Sequence, residues 1–100
     1  MKWIRQIFAA GLVSLMTAPA FAAPVNVRIA KQPGVGYLPL MVMEHEKLFE
    51  KYAKQAGVDI TTEWLKFTGG SAMNEALLSG NLDIATGGIP PLLTIWSKTQ

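Results

Sequence analysis

"FTGGSAMNEALLSGNLDIATGGIPPLL", residues 67–93, decides how the chain folds. Two glycine pairs, Gly69-Gly70 and Gly87-Gly88, stand where a strand-like apolar run gives way to helical spacing. Met73, Ala76 and Leu77 mark a short helix that stops at Gly80. Leu82 to Thr86 reads as a strand, and Pro90-Pro91 opens a further helix carrying Leu92, Leu93, Ile95 and Trp96.

The same alternation extends upstream. Ile60 to Phe67 is rich in β-branched and aromatic residues, hence a strand. Before it, Leu38, Met41, Val42, Leu48, Phe49 and Tyr52 recur along one helical face, with Pro39 in the first turn and Gly57 as a C-terminal cap. The earliest strand pairs Val25, Val27 and Ile29 on one face against Asn26, Arg28 and Ala30 on the other, and Pro33, Gly34 and Gly36 end it. Strand and helix alternate three times. That order implies an α/β fold, a parallel sheet flanked by helices and joined by right-handed crossovers.

In such sheets ligands bind beyond the carboxyl ends of the strands. Three glycine-bearing loops lie there, at 31–37, 68–71 and 87–90, and each precedes a helix. A helix start exposes unpaired N–H groups and a partial positive charge, which suits oxyanions. Glycine lets a ligand approach those groups closely. The same glycines also suit a purely steric role, and the pattern leaves both readings open. Ser71 is likewise placed either to touch a ligand or to cap its helix.

The first residues carry a different signature. Lys2 and Arg5 give a positive start, Ile7 to Met16 is apolar apart from Ser14, and small residues alternate around Ala20-Phe21-Ala22. These are the three regions of a secretory signal peptide over residues 1–22, with cleavage expected after Ala22. The run is short of the roughly 20 apolar residues that span a bilayer. The expected product is periplasmic. The chain has nine basic and seven acidic residues. The leader holds two of the basic ones and no acid, so seven of each remain. A neutral mature chain gives no electrostatic case for nucleic acid. There is no cysteine, hence neither a disulfide nor a lipoprotein anchor.

Several chemistries are excluded. Gly34-Val35-Gly36 starts like a dinucleotide fingerprint, but Pro39 replaces its third glycine, and Thr62 and Glu63 bring no ribose-reading context. His45-Glu46 begins like a zinc-protease helix, but Phe49 stands where the second histidine belongs. Glu44, His45 and Glu46 are consecutive and point apart on a helix. With one histidine and no cysteine, no nucleophile–base pair is assignable. No enzyme activity, metal or cofactor is expected. Trp64 and Trp96 are expected to serve packing.

The mature stretch resembles the N-terminal lobe of periplasmic solute-binding proteins of ABC importers, in the nitrate/sulfonate/taurine group that shares its domain with thiamine-pyrimidine precursor proteins. The resemblance covers residues 25–98. It rests on Gly36-Tyr37-Leu38-Pro39-Leu40, Leu48-Phe49-Glu50-Lys51, Trp64-Leu65-Lys66-Phe67 and Gly87-Gly88-Ile89-Pro90-Pro91. The most diagnostic parts are the Gly70-Ser71-Ala72 helix start and Gly80-Asn81-Leu82-Asp83-Ile84-Ala85.

The resemblance implies two α/β lobes that close on a small ligand, residues 23–100 being the first part of lobe 1 and not expected to fold stably alone. It places ligand contacts at Gln32 and Tyr37, Gly70 and Ser71, and Gly88 and Ile89. It implies a monomer that delivers a small, anionic solute to a membrane permease. Lys47 stands where a glycine often precedes Leu-Phe, leaving room for the first helix to run further. Thr68-Gly69-Gly70 varies a more usual small-residue turn, so the contact atoms there can differ. Two other functions share the domain: a periplasmic sensor joined to a signalling module, and an intracellular pyrimidine-synthesis enzyme, which the leader argues against.

Overall fold

The computed structural model describes residues 22–100, and the expected leader at 1–22 falls almost wholly outside the described residues. The chain runs β1 (Val25–Lys31), a short 3-10 turn (Val35–Tyr37), α1 (Leu38–His45), α2 (Leu48–Gln55), β2 (Ile60–Lys66), α3 (Gly70–Leu78) and α4 (Ile89–Thr99). Among the described residues no helix is long and apolar enough to cross a membrane.

β1 and β2 pair in parallel, from Val25 opposite Ile60 to Lys31 opposite Lys66. The expected third strand is reduced to a single parallel bridge between Ile29 and Ile84. The reason lies in two side chains. The Arg28 N–H, which would donate to a neighbouring backbone carbonyl, donates instead to the Asp83 carboxylate at 2.8 Å. The Ala30 carbonyl accepts from the Thr86 hydroxyl at 3.0 Å. Between them the backbone pairs normally, with Ile84 N–H to Arg28 O at 3.0 Å and Ala30 N–H to Ile84 O at 2.8 Å. Side chains that compete for backbone groups shorten the ladder at both ends. The lateral order is β2, β1, then residues 83–86, with β1 in the middle.

A middle strand covered on both faces loses the simple apolar–polar alternation. Ile29 and Ala30 are adjacent and both buried, at 2% and 0% exposure. The alternation of β1 places Ala30 on the polar face with Asn26 and Arg28. It instead joins Met73 and Leu82 in a core cluster, with Leu65, Phe67 and Leu77 packed around it. α3 therefore covers this face. On the opposite face, α1 is tied to β1 through Glu44 and Lys31, and α2 to β2 through Glu50, which accepts from the Thr62 hydroxyl.

The expected single helix after β1 is two. Lys47 adopts a left-handed conformation, φ 49° and ψ 42°, and α1 ends before it. The first helix therefore does not run on through Lys47, and α2 begins at Leu48. Gly57 ends α2 as expected, at φ 79°. Its N–H reaches Lys54 O at 3.1 Å and Val58 N–H reaches Ala53 O at 2.9 Å, a Schellman cap. Gly80 closes α3 in the same way, with Asn81 N–H on Ala76 O at 2.8 Å. Trp64 is half-buried with its indole N–H on Thr62 Oγ1 at 3.1 Å, but Trp96 is 59% exposed and does not serve packing here.

Candidate functional site

The loops that follow β1, β2 and residues 83–86 lie side by side at one edge of the sheet. Gln32 ties two of them together. Its amide nitrogen donates to the Thr86 carbonyl at 2.9 Å and lies 3.6 Å from the Met73 sulfur. The amide group is thereby oriented, because a flip would set its oxygen against the Thr86 oxygen. Tyr37 closes the 3-10 turn, its N–H on Gly34 O at 3.0 Å, and is half-buried.

Of each glycine pair, one member is closely packed and the other is open. A Cβ on Gly70 would lie 2.9 Å from Pro91 Cβ. A Cβ on Gly87 would lie 3.0 Å from both Pro91 Cγ and Met73 Cε. Pro91, in the first turn of α4, therefore wedges against α3 on one side and the preceding loop on the other. Gly69 meets nothing within 4 Å, and Gly88 meets only Pro90 Cδ at 3.7 Å. Both sit in extended backbone. Gly88 has an ordinary φ of −78°, so its backbone conformation does not require glycine.

The two helix starts differ. Gly69 caps α3 without a side-chain hydrogen bond, so Gly70, Ser71 and Ala72 present free N–H groups. Ser71 is exposed and lies inside the helix, so it does not cap it. α4 begins at Ile89, which is 71% exposed, and the next two residues are prolines without an N–H. Ile89 is thus the main donor at that start, as Leu92 N–H already reaches Gly88 O at 3.4 Å.

The six expected contact residues share an edge but not a single concavity. Gly70 and Ser71 open on a groove of about 330 Å³ between α3 and α4, beside Asn74 and Lys98. Gly88 lines an apolar groove of about 400 Å³ with Leu77, Ile84 and Leu92. Gln32 lines a third, of about 300 Å³, with Lys31, Met41, Glu44 and Lys66.

Four residues that matter here escaped the sequence. Asp83 and Thr86 clamp the third segment to β1. Asn74 is 5% exposed and donates to the Pro91 carbonyl at 3.0 Å, while its Oδ1 is sealed without a partner. Lys66 stands at the end of β2. A polar residue on the helix face that also carries Met73 was the available signal for Asn74. His45 is exposed with its Nδ1 2.9 Å from Glu46 Oε1. Among the described residues no three acidic, histidine or cysteine side chains converge on a metal-sized site.

No protein-family profile, curated protein or solved structure matches this chain.

Proposed function

We propose that this chain is the first part of an extracytoplasmic solute-binding protein that captures a small anion, such as a sulfonate, nitrate or taurine, for an ABC importer. The observation that carries the reading is the order β2, β1, then 83–86. The chain reverses direction across β1, and open α/β sheets take ligands at that reversal, beyond the carboxyl ends of the strands. Gln32 and the Thr86–Gly88 turn flank the reversal and are held together by a hydrogen bond. Free N–H groups at the start of α3 add an electropositive edge.

The resemblance carries this reading from ligand binding in general to transport, with a membrane permease as partner and export as the route. Native mass spectrometry of the full chain, purified from its exporting host, tests it. A co-purified small anion supports the reading. An empty protein that also binds no small anion overturns it.

A further inference from the structure

The turn that presents Gly88 and Ile89 is held at both ends by side-chain amides from elsewhere in the chain. Before it, Gln32 Nε2 donates to the Thr86 carbonyl at 2.9 Å. After it, Asn74 Nδ2 donates to the Pro91 carbonyl at 3.0 Å. Gln32 follows β1 and Asn74 lies within α3, so two separate elements fix the two ends. Met73, next to Asn74, packs between them. Its sulfur is 3.6 Å from Gln32 Nε2, and its Cε would lie 3.0 Å from a Cβ on Gly87.

The span between the clamps has little order of its own. Two successive glycines have the most backbone freedom to lose. The N–H groups of Gly87, Gly88 and Ile89 make no hydrogen bond among the described residues. Ordering such a segment only on binding subtracts from affinity, and a segment ordered beforehand avoids that loss. Asn74 is also a poor residue for core stability. It is 5% exposed, and its Oδ1 is sealed without a partner. Burying an unpaired acceptor costs at least as much as one neutral hydrogen bond returns. An apolar side chain avoids that cost, but only a donor fixes the place of the Pro91 carbonyl.

We propose that Gln32 and Asn74 are positioning residues that preform the 87–90 turn for its ligand, and that Gln32 acts through the turn rather than by touching the ligand. The Gln32 amide donor is already committed to Thr86. The proposal rests on the receptor reading for what the turn binds, and it departs from the resemblance over Gln32.

The test reads the turn, the fold and binding separately on the full chain. In the ligand-free wild type, NMR relaxation gives the Gly87 and Gly88 amides order parameters near the rigid value of about 0.85. Gln32→Met and Asn74→Leu each remove the donor and keep a side chain of similar shape. Each lowers those two order parameters to about 0.6 or below, with a urea midpoint near that of wild type. Each also weakens the tightest-binding of nitrate, ethanesulfonate and taurine by about tenfold in calorimetry. The double variant loses little more affinity than either single one, because freeing one end frees the turn. A flexible turn in the wild type, or wild-type order in both variants, overturns the proposal. So do unchanged affinity despite a loosened turn and strict additivity of the two losses. A Gln32→Met chain that loses affinity with the turn still rigid makes Gln32 a ligand contact, and also overturns it. If Asn74→Leu unfolds the chain, Gln32→Met decides alone. The receptor reading falls separately. A wild type that binds none of the three anions, with a turn that loosens in both variants, removes that reading and leaves the clamps standing.

Discussion

Arg28 and Asp83, 55 positions apart, are joined by three hydrogen bonds to one carboxylate. Asp83 Oδ2 accepts from the Arg28 backbone N–H at 2.8 Å and from Nε at 3.0 Å, while Oδ1 accepts from Nη2 at 2.9 Å. A side chain thus completes a ladder that the backbone leaves unfinished. It also registers residues 83–86 on β1, and with them the turn that presents Gly88.

This clamp is expected to be acid-sensitive. The Arg28 side chain, then its backbone N–H, holds the Asp83 carboxyl down to about 2. A carboxylate with a depressed folded pKa contributes stability above its unfolded value, near 4, and loses it as pH falls through the folded value. The clamp's contribution is therefore fully present above about pH 4 and gone below about pH 2. Asp83→Asn should lower the melting temperature of the full chain at neutral pH. The gap between variant and wild type should close across that acid window. A gap that stays constant from neutral pH to pH 2 would sink the claim.

Lys47→Gly should leave stability unchanged or raise it by up to about 1 kcal/mol. A left-handed conformation costs a non-glycine residue roughly 1–2 kcal/mol, and glycine gives part of that back as unfolded-chain entropy. Lys47→Val should be clearly destabilising, because a β-branched residue fits φ 49° worst. Urea denaturation of the three proteins ranks them. A Val variant as stable as wild type contradicts the assigned geometry.

The wedge at Pro91 gives a different ranking for the glycines. Gly70→Ala and Gly87→Ala each place a methyl about 3 Å from that ring, so each should cost roughly 1–3 kcal/mol. Gly69→Ala, with nothing within 4 Å, should be mild. Combining Gly70→Ala with Pro91→Ala should recover part of the loss, a coupling that a double-mutant cycle reads directly. Strict additivity would mean that the two residues do not meet.

Much of the element order was legible because glycine and proline punctuate it. Gly57 and Gly80 sit at helix ends with positive φ, and Pro39 lies in the first turn of α1, all as their residue types dictate. What escaped depends on distant partners. The short third strand could not be read from residues 82–86, because Asp83 and Thr86 shorten it through Arg28 and Ala30. The alternation of β1 sets Ala30 outward only for a strand with one open face, and here both faces are covered. Lys47 carries no left-handed signature of its own, because lysine is a good helix former and nothing in its side chain favours a positive φ. The edge holding the candidate site was legible from the glycine loops. The split of each pair into a packing glycine and an open one was not, since it needs the position of Pro91.

Ser71 and Gly88 separate binding from folding most cleanly. Ser71 lies within the first turn of α3 and is exposed, and the cap position belongs to Gly69. Losing a true cap costs about 1 kcal/mol, so Ser71→Ala should change stability by less than about 0.5 kcal/mol. Gly88 has an ordinary φ of −78° and only Pro90 nearby, so Gly88→Ala should also fold normally. Any effect of either substitution on ligand affinity then reports contact with the ligand rather than damage to the fold. Under the receptor reading both weaken binding, and Gly88→Val does so more than Gly88→Ala, because a larger side chain stands beside the Ile89 N–H. Calorimetry with the anion found on the full chain measures the affinities, and urea denaturation checks the folds. Wild-type affinity in both Ser71→Ala and Gly88→Val would remove the two helix starts from the site and leave the glycine pairs to packing and turn geometry.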